Sequence, residues 1–183
     1  MEEKHVERIS RTLVRAGSIL DIYDDEMLLP DGSTEHWDFV SHRKGAAAVV
    51  PVLPDGRILL VRQYRPALER YTWELPAGCR DTPEEDTRVT AIRELKEETG
   101  CESDNVTKLL SLKTTVAFCN ELVDVYLARG VRKTGGQELD PAEAISMKAF
   151  EPEELVRMIT EFSIQDGKTV AGVMTYLALY KGK

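Results

Sequence analysis

The stretch "RELKEETG", residues 93–100, brings three glutamates close together in the chain. In a helix, Glu94, Glu97 and Glu98 would project from one side, because residues three and four positions apart share a face. Arg93 precedes Glu97 by four residues, so its guanidinium can orient that carboxylate. Like charges at this spacing repel by roughly a few tenths of a kcal/mol per pair. The cluster is therefore either a solvated acidic face or a site for a hard divalent cation, which prefers oxygen ligands.

The composition is that of an ordinary soluble domain. The 183 residues are enough for one domain with a sizeable core. A formal net charge of −8 argues against nucleic acid or an anionic membrane as the main partner. The three cysteines lack metal-ligand spacing, and their odd number does not favour a disulfide framework. The N-terminus lacks the apolar core of a signal peptide, and no apolar run could span a bilayer, so we predict a cytoplasmic protein.

The hydrophobic pattern predicts a mixed β-sheet with helices on its faces, of the α/β or α+β class. Alternation over residues 9–40, broken by the turn "LPDGS", predicts a meander of short strands. Apolar segments at 45–53 and 57–64 flank "PDG" and predict a hairpin of buried strands. Three further strands are predicted at 105–116, 121–130 and 144–150. Two closing helices are predicted at 151–162 and 166–182.

The acidic stretch is predicted to lie on a helix that begins near Thr82. Thr82 and Glu85 have the spacing of a capping box, Pro83 suits the first helical turn, and Gly100 is a typical stop. The buried side of this helix is expected to carry its apolar residues, Val89, Ile92 and Leu95.

The segment that surrounds this helix resembles the signature of the Nudix hydrolases. That signature reads Gly, five residues, Glu, seven residues, Arg-Glu, a bulky apolar residue, any residue, Glu-Glu, any residue, Gly and an apolar residue. Its fixed positions are occupied here by Gly78, Arg93, Glu94, Leu95, Glu97, Glu98 and Gly100.

Two positions depart from the signature. Six residues separate Gly78 from Glu85 instead of five, whereas Glu84 would fit the first interval but leave eight residues before Arg93. We assign the position to Glu85, because a loop takes an insertion more easily than a helix does. Cys101 fills the last apolar position, where a free cysteine behaves as a small hydrophobe.

The resemblance implies a Nudix α/β/α sandwich around a mixed β-sheet. It also implies an N-terminal antiparallel strand subdomain, residues 1–42, before the Nudix hydrolase domain, residues 43–183. The metal ligands that it implies for Mg²⁺, or Mn²⁺, are the backbone carbonyl of Ala77 and the carboxylates of Glu94, Glu97 and Glu98. Such ions would bridge a pyrophosphate and generate a nucleophilic hydroxide.

Outside the signature, the chain is similar to the branch that cleaves ADP-ribose and nucleoside diphosphate sugars. The similarity covers four segments, residues 29–52, 61–78, 117–128 and 164–173. It implies Mg²⁺-dependent hydrolysis of a small nucleotide sugar to a nucleoside monophosphate and a sugar phosphate. The alternatives are another substrate, such as GDP-mannose, and a Nudix-fold sensor that binds a nucleotide metabolite without hydrolysing it. The intact acidic motif argues against the sensor.

The N-terminal strands of that branch are exchanged between two subunits, which implies a homodimer. An aromatic residue at Trp37 would then stack on adenine, and Arg65 would bind a phosphate or the terminal ribose. Glu74 and His42 are further candidates for substrate contacts. The alternative for Trp37 is an ordinary core position.

Three glutamates are candidates for the general base. Arg93 is expected to orient the acidic cluster. Glu97 lies in the motif, while Glu138 and Glu143 lie in a long polar loop that could close over substrate. The ADP-ribose enzymes carry Pro-Gly-Phe where this chain has "VAF", residues 116–118. The preferred base and sugar therefore stay open.

Overall fold

The computed structural model describes residues 5–139 and 144–180. Within these residues the chain forms twelve strands, three α-helices and one short 3₁₀ helix, Pro66–Leu68. In chain order the strands are β1 (Glu7–Ala16), β2 (Leu20–Leu28), β3 (Thr34–His42), β4 (Ala46–Val52), β5 (Ile58–Arg65), β6 (Arg70–Glu74), β7 (Ala77–Cys79), β8 (Cys101–Glu102), β9 (Asn105–Lys113), β10 (Leu122–Arg129), β11 (Arg132–Lys133) and β12 (Ser146–Phe150). The helices are α1 (Thr87–Thr99), α2 (Pro152–Thr160) and α3 (Gly167–Tyr180). No helix in the described residues is long and apolar enough to cross a membrane.

The first three strands form an antiparallel sheet of their own, in the order β1-β2-β3. The predicted turn joins β2 to β3, and Gly32 adopts a φ of 90° in it, which glycine adopts without steric cost. Every residue of β1 is exposed. This sheet is tied to the rest of the chain through β3, where the Val40 N–H donates to the Phe118 carbonyl at 2.7 Å.

The larger sheet has the order β12-β5-β4-β10-β9, with β6 paired to β5 and β7 paired to β4. β10 runs parallel to β4, whereas the other pairs are antiparallel, so the sheet is mixed. The predicted hairpin forms, but β4 and β5 pair only beside the turn, at Val52 and Ile58. β4 then diverges from β5 and pairs with β7 and β10.

Helices cover both faces of the sheet, which confirms the predicted sandwich. Ala48 and Val50 of β4 belong to the core that contains Leu155 of α2 and Val173 of α3. Their neighbours Ala47 and Val49 belong to the core of α1, with Ala91 and Leu95. Because successive strand residues point to opposite faces, β4 supplies both layers and is buried along its whole length.

The predicted start of α1 is wrong. The helix begins after Asp86, whose side chain caps it by accepting from the Arg88 N–H at 2.9 Å. Residues 82–85 instead form a turn, in which the Glu85 carboxylate accepts from the Asp81 N–H and the Thr90 hydroxyl. Glu85 is thus held by groups on both sides of the cap and does not close a capping box.

The predicted buried side of α1 is also partly wrong. Val89 is 53% exposed, while Leu95 is buried and Ile92 packs at the edge of the core. The helix turns two of its glutamates inward instead, and its buried residues are Thr90, Ala91, Glu94, Leu95, Glu98 and Thr99. Burial of charged side chains needs partners, and these are supplied by the short strand β7 and by Arg93.

Candidate active site

Two carboxylates of α1 lie against the backbone of β7. The carboxylate of Glu94 occupies the space where a side chain at position 78 would begin, so Gly78 leaves room for it. Glu98 accepts a hydrogen bond from the Ala77 N–H through Oε2, at 3.1 Å. Glu94 is 8% exposed and Glu98 is 2% exposed. The predicted ligands Ala77, Glu94 and Glu98 are therefore brought together.

Arg93 connects the acidic cluster to the same strand. Its Nη1 donates to Glu94 Oε1 at 2.8 Å and to Glu97 Oε2 at 2.9 Å. Its Nη2 donates to the carbonyl of Cys79 at 2.9 Å. The predicted pairing of Arg93 with Glu97 is confirmed. One guanidinium thus fixes two carboxylates and the end of β7 relative to one another.

The donor set fits a hard divalent cation, although the side chains do not form a preassembled coordination shell. Within the described ranges, no three carboxylate, imidazole or thiol groups stand in a metal-ligand arrangement. Oxygens of Glu94 and Glu97 face the Arg93 guanidinium instead. Terminal carboxylate torsions are broad, so reorientation of these oxygens needs no change of backbone. The carboxylates and the Ala77–Gly78 backbone give the all-oxygen environment that Mg²⁺ prefers.

A cavity of about 640 Å³ opens beside this cluster. Its lining includes Arg65, Ala77, Gly78, Arg93, Glu94, Glu97, Glu98 and Glu138. Glu138 reaches the cavity because the loop after β11 lies along the end of α1, where the Glu138 N–H donates to the Glu97 carbonyl at 2.8 Å. Gln137 donates to the Glu98 carbonyl at 2.6 Å. The predicted base Glu143 lies outside the described residues.

Arg65 enters the same cavity from the end of β5. Its Nε donates to Glu74 Oε1 at 2.7 Å, and its Nη2 donates to Oε2 at 2.6 Å. Glu74 also accepts from the Thr72 hydroxyl at 2.6 Å and from Lys168. Burial at 2% exposure raises the pKa of Glu74, but the hydrogen bonds from Arg65 and the charge of Lys168 outweigh burial and lower the pKa to about 2.

Lys168 was not predicted from the sequence as a residue of the site. Its segment, residues 164–173, carries part of the resemblance, but the chain separates Lys168 from Glu74 by more than ninety residues. The two meet because α3 packs against the large sheet with its N-terminus beside the end of β6. The available signal was a lysine in the first helical turn, two residues after an aspartate, and it does not identify the distant partner.

Trp37 and His42 are not among the residues that line the carboxylate cavity. Trp37 is 42% exposed and borders a separate surface cavity of about 660 Å³ together with Phe118, so the alternative of an ordinary core position is wrong. The His42 ring is only 6% exposed. Its Nδ1 accepts from the Gly45 N–H at 2.8 Å, and its Nε2 lies 3.6 Å from Glu121. Substrate contacts by these residues stay predictions.

The sandwich and its acidic helix agree with the comparison with known families. Residues 42–172 match the NUDIX domain, so the chain belongs to the Nudix family. It is a Nudix hydrolase similar to the ADP-ribose pyrophosphatases.

Relatives match the chain over most of its length. ADP-ribose pyrophosphatase from Bacillus subtilis (strain 168) is 33% identical, and the alignment covers 98% of this chain and 94% of that protein. ADP-ribose pyrophosphatase from Mycobacterium tuberculosis (strain ATCC 25618 / H37Rv) is 35% identical over 100% and 88% of the two chains. Methanol dehydrogenase activator from Bacillus methanolicus is 37% identical over 90% and 88%.

A solved structure supports the fold independently. The crystal structure of an ADP compounds hydrolase superposes with a TM-score of 0.85 and covers 97% of each chain. Its sequence identity is 17%, so this likeness concerns the fold alone.

Proposed function

We propose that this protein is a Mg²⁺-dependent pyrophosphatase that hydrolyses ADP-ribose or a related nucleoside diphosphate sugar. Its products would be a nucleoside monophosphate and a sugar phosphate. The observation that carries the proposal is the presence of the acidic cluster of α1 and the guanidinium of Arg65 in one open cavity. A pyrophosphate is anionic, so a protein of net charge −8 needs such local positive charge to bind it.

Each part of the cavity has a separate task. Glu94, Glu97, Glu98 and the Ala77 carbonyl would hold Mg²⁺, or Mn²⁺, which when bound supplies Lewis-acid stabilisation of phosphate charge and a more acidic water. Arg65 would bind a phosphate, and its two hydrogen bonds to Glu74 fix the plane of the guanidinium. Arg93 would keep the carboxylates of the cluster in register.

The general base is proposed among Glu97, Glu138 and Glu143. Glu138 is supported by its position, because it borders the cavity on a loop that is hydrogen-bonded to the end of α1. Glu97 is more exposed than Glu94 and Glu98, so its carboxylate is accessible to a water molecule. A base must come within hydrogen-bond reach of the water that it deprotonates. Comparison of Glu97→Gln, Glu138→Gln and Glu143→Gln, by kcat against pH, would separate the candidates.

The N-terminal sheet, within residues 1–42, is proposed to exchange between two copies of the chain. Support comes from apolar side chains on its exposed strand, since Ile9, Leu13 and Val14 are each more than half exposed. Three large apolar side chains exposed on one strand favour an interaction site there. Trp37 of the partner subunit would then stack on the nucleobase of a substrate bound in the carboxylate cavity, and His42 is a weaker candidate for a further contact.

The proposal is tested by analysing products after incubation with Mg²⁺ and a panel of substrates. The panel contains ADP-ribose, ADP-glucose, GDP-mannose, UDP-glucose, NADH and diadenosine polyphosphates. AMP and ribose 5-phosphate from ADP-ribose, absent with Glu98→Gln, are the expected result. Preferred turnover of another member would leave the proposed reaction class unchanged but would assign a different substrate. The absence of proline at residues 116–118, where the ADP-ribose enzymes carry one, makes this outcome worth testing. Lack of turnover of every member would contradict the proposal.

A further inference from the structure

A buried charge cluster links the N-terminus of α3 to the strand that ends at Glu74. Lys168, whose side chain is 15% exposed, donates to Glu74 Oε2 and, at 2.8 Å, to Asp166 Oδ1. Glu74 is in turn the bidentate partner of Arg65. The order of contacts is thus Asp166, Lys168, Glu74 and Arg65, from the helix to the carboxylate cavity.

The helix end of this cluster is held in place by hydrogen bonds. Asp166 accepts from the Thr169 N–H at 3.0 Å and from its hydroxyl at 2.5 Å. The same hydroxyl accepts from the Leu75 N–H at 2.8 Å, and Leu75 follows Glu74 in the chain. Because Thr169 and Leu75 are both buried, the start of α3 and the end of β6 are fixed relative to each other.

The position of Lys168 is unfavourable for the helix itself. A helix N-terminus carries partial positive charge, which stabilises Asp166 but disfavours a lysine in the first turn. The ion pair with Glu74 therefore accounts for the position of Lys168, and a contribution to helix stability does not. A buried carboxylate with only Arg65 as counter-charge would also neutralise the guanidinium that faces the cavity. Glu74 and Asp166 are two carboxylates, so Arg65 as their sole cation would leave the cluster with a net negative charge; with Lys168 present, two cations balance two carboxylates.

Lys168 and Arg65 border the same open space. Both line two smaller cavities, of about 480 and 390 Å³. Arg65 also lines the carboxylate cavity, and it is the residue shared by all three. The positive charge contributed by Lys168 is therefore close to the space that a substrate phosphate would enter.

We propose that Lys168 is a positioning residue for the substrate pyrophosphate. It balances the charge of Glu74 and Asp166, and it holds Glu74, and through Glu74 Arg65, in a geometry that presents the Arg65 guanidinium to the substrate phosphate. The inference rests on the proposed role of Arg65 as a phosphate ligand. Lys168 acts through Arg65 and takes no part in proton transfer.

The test compares Lys168→Met, which keeps an unbranched side chain one atom shorter and removes the charge, with Lys168→Arg, which keeps the charge. With the best substrate of the panel, Lys168→Met is expected to raise KM about tenfold and to change kcat by less than about threefold, the size of one weakened charge-assisted hydrogen bond. The dependence of kcat/KM on salt should also become weaker, because one positive charge is lost. Lys168→Arg should restore most of the affinity.

The matched control is Lys148→Met. Lys148 also pairs with a carboxylate, Glu154 at 3.3 Å, but it lies on β12 with 54% of its side chain exposed. Wild-type KM and salt dependence are expected for this variant. A merely structural role for Lys168 predicts a lower Tm with unchanged KM, and that result would overturn the inference.

Arg65→Ala separates this inference from the proposed function. If Arg65→Ala raises KM and Lys168→Met does not, only the role of Lys168 is wrong. If neither variant changes KM, the phosphate-binding role of Arg65 fails as well. Calorimetric titration with ADP gives a readout independent of turnover, in which Lys168→Met should weaken binding about tenfold. Equal ADP affinity in the wild type and Lys168→Met would count against the inference even if no substrate were turned over.

Discussion

Gly78 and Glu94 are in contact because position 78 has no side chain. A Cβ there would overlap the end of the Glu94 carboxylate and would lie 2.8 Å even from its more distant oxygen, Oε2. Gly78 is not in the left-handed region of φ, so the glycine is required for space and not for backbone conformation. The first glycine of the motif and its first helical glutamate thus form one structural unit.

Gly78→Ala is expected to displace the Glu94 carboxylate and to lower Mg²⁺-dependent activity by roughly a hundredfold or more, since a lost ligand costs several kcal/mol of charge stabilisation. The overlap involves the mobile end of a side chain, so the free energy of unfolding should fall by less than about 2 kcal/mol. Activity assays and urea unfolding measure the two effects. Gly135→Ala is the control, because a Cβ at Gly135 meets no atom within 4 Å. Wild-type activity of Gly78→Ala would contradict the proposed role of Glu94.

Glu98→Gln is expected to abolish turnover while the fold stays intact. The amide oxygen of glutamine can still accept from the Ala77 N–H, so the contact with β7 survives while the charge is lost. Mg²⁺ at about a hundred times its Kd should stabilise the wild type by about 2.7 kcal/mol, and this gain should be absent in the variant. Thermal unfolding with and without Mg²⁺ measures it. The control is Glu102→Gln, because Glu102 forms an exposed pair with Lys96. Equal loss of fold and activity in Glu98→Gln would show that the role of Glu98 is structural.

Glu74 should make stability depend on pH in the acid range. Its pKa is lowered from 4.5 to about 2 in the folded chain, so its contribution is complete above about pH 4.5 and is lost as pH falls toward 2. The contribution is of the order of 3 kcal/mol. Urea unfolding at several pH values between 3 and 7 should show this dependence in the wild type.

The variant Glu74→Gln should be less stable at neutral pH and should lose that part of the pH dependence. Asp104→Asn is the control, because Asp104 has an 87% exposed side chain in a surface pair with Arg132. An unchanged pH profile in Glu74→Gln would show that another group is responsible.

Leu13→Lys is expected to weaken self-association. Leu13 is 51% exposed on β1, and a charge buried in an apolar interface is costly. If the N-terminal sheets meet in a dimer, its Kd should rise at least about tenfold. Sedimentation velocity across a range of concentrations measures this change. Leu179→Lys, at 48% exposure on α3, should leave the dimer intact. A monomeric wild type would rule out the exchange of strands.

The acidic motif was predictable because its chemistry is local. Arg93 and Glu97 lie one helical turn apart, so the sequence alone predicts their pairing. The start of α1 was not predictable from the same rules, because Thr82 with Glu85 and Asp86 alone are both valid caps. Glu85 instead accepts hydrogen bonds from Asp81 and Thr90, so it does not form the capping box with Thr82 and the helix begins after Asp86.

The family, the mixed sheet and the acidic helix could be predicted from the order of residues, since each depends on residues whose spacing alone is informative. Which distant groups meet these residues depended on how the helices and strands pack in the folded chain. Folding placed Lys168 on Glu74 and laid the loop with Glu138 along α1. The physical reason is burial, because a carboxylate removed from water must find partners wherever the packing of layers supplies them. For Glu74 those partners come from β5, β6 and the first turn of α3.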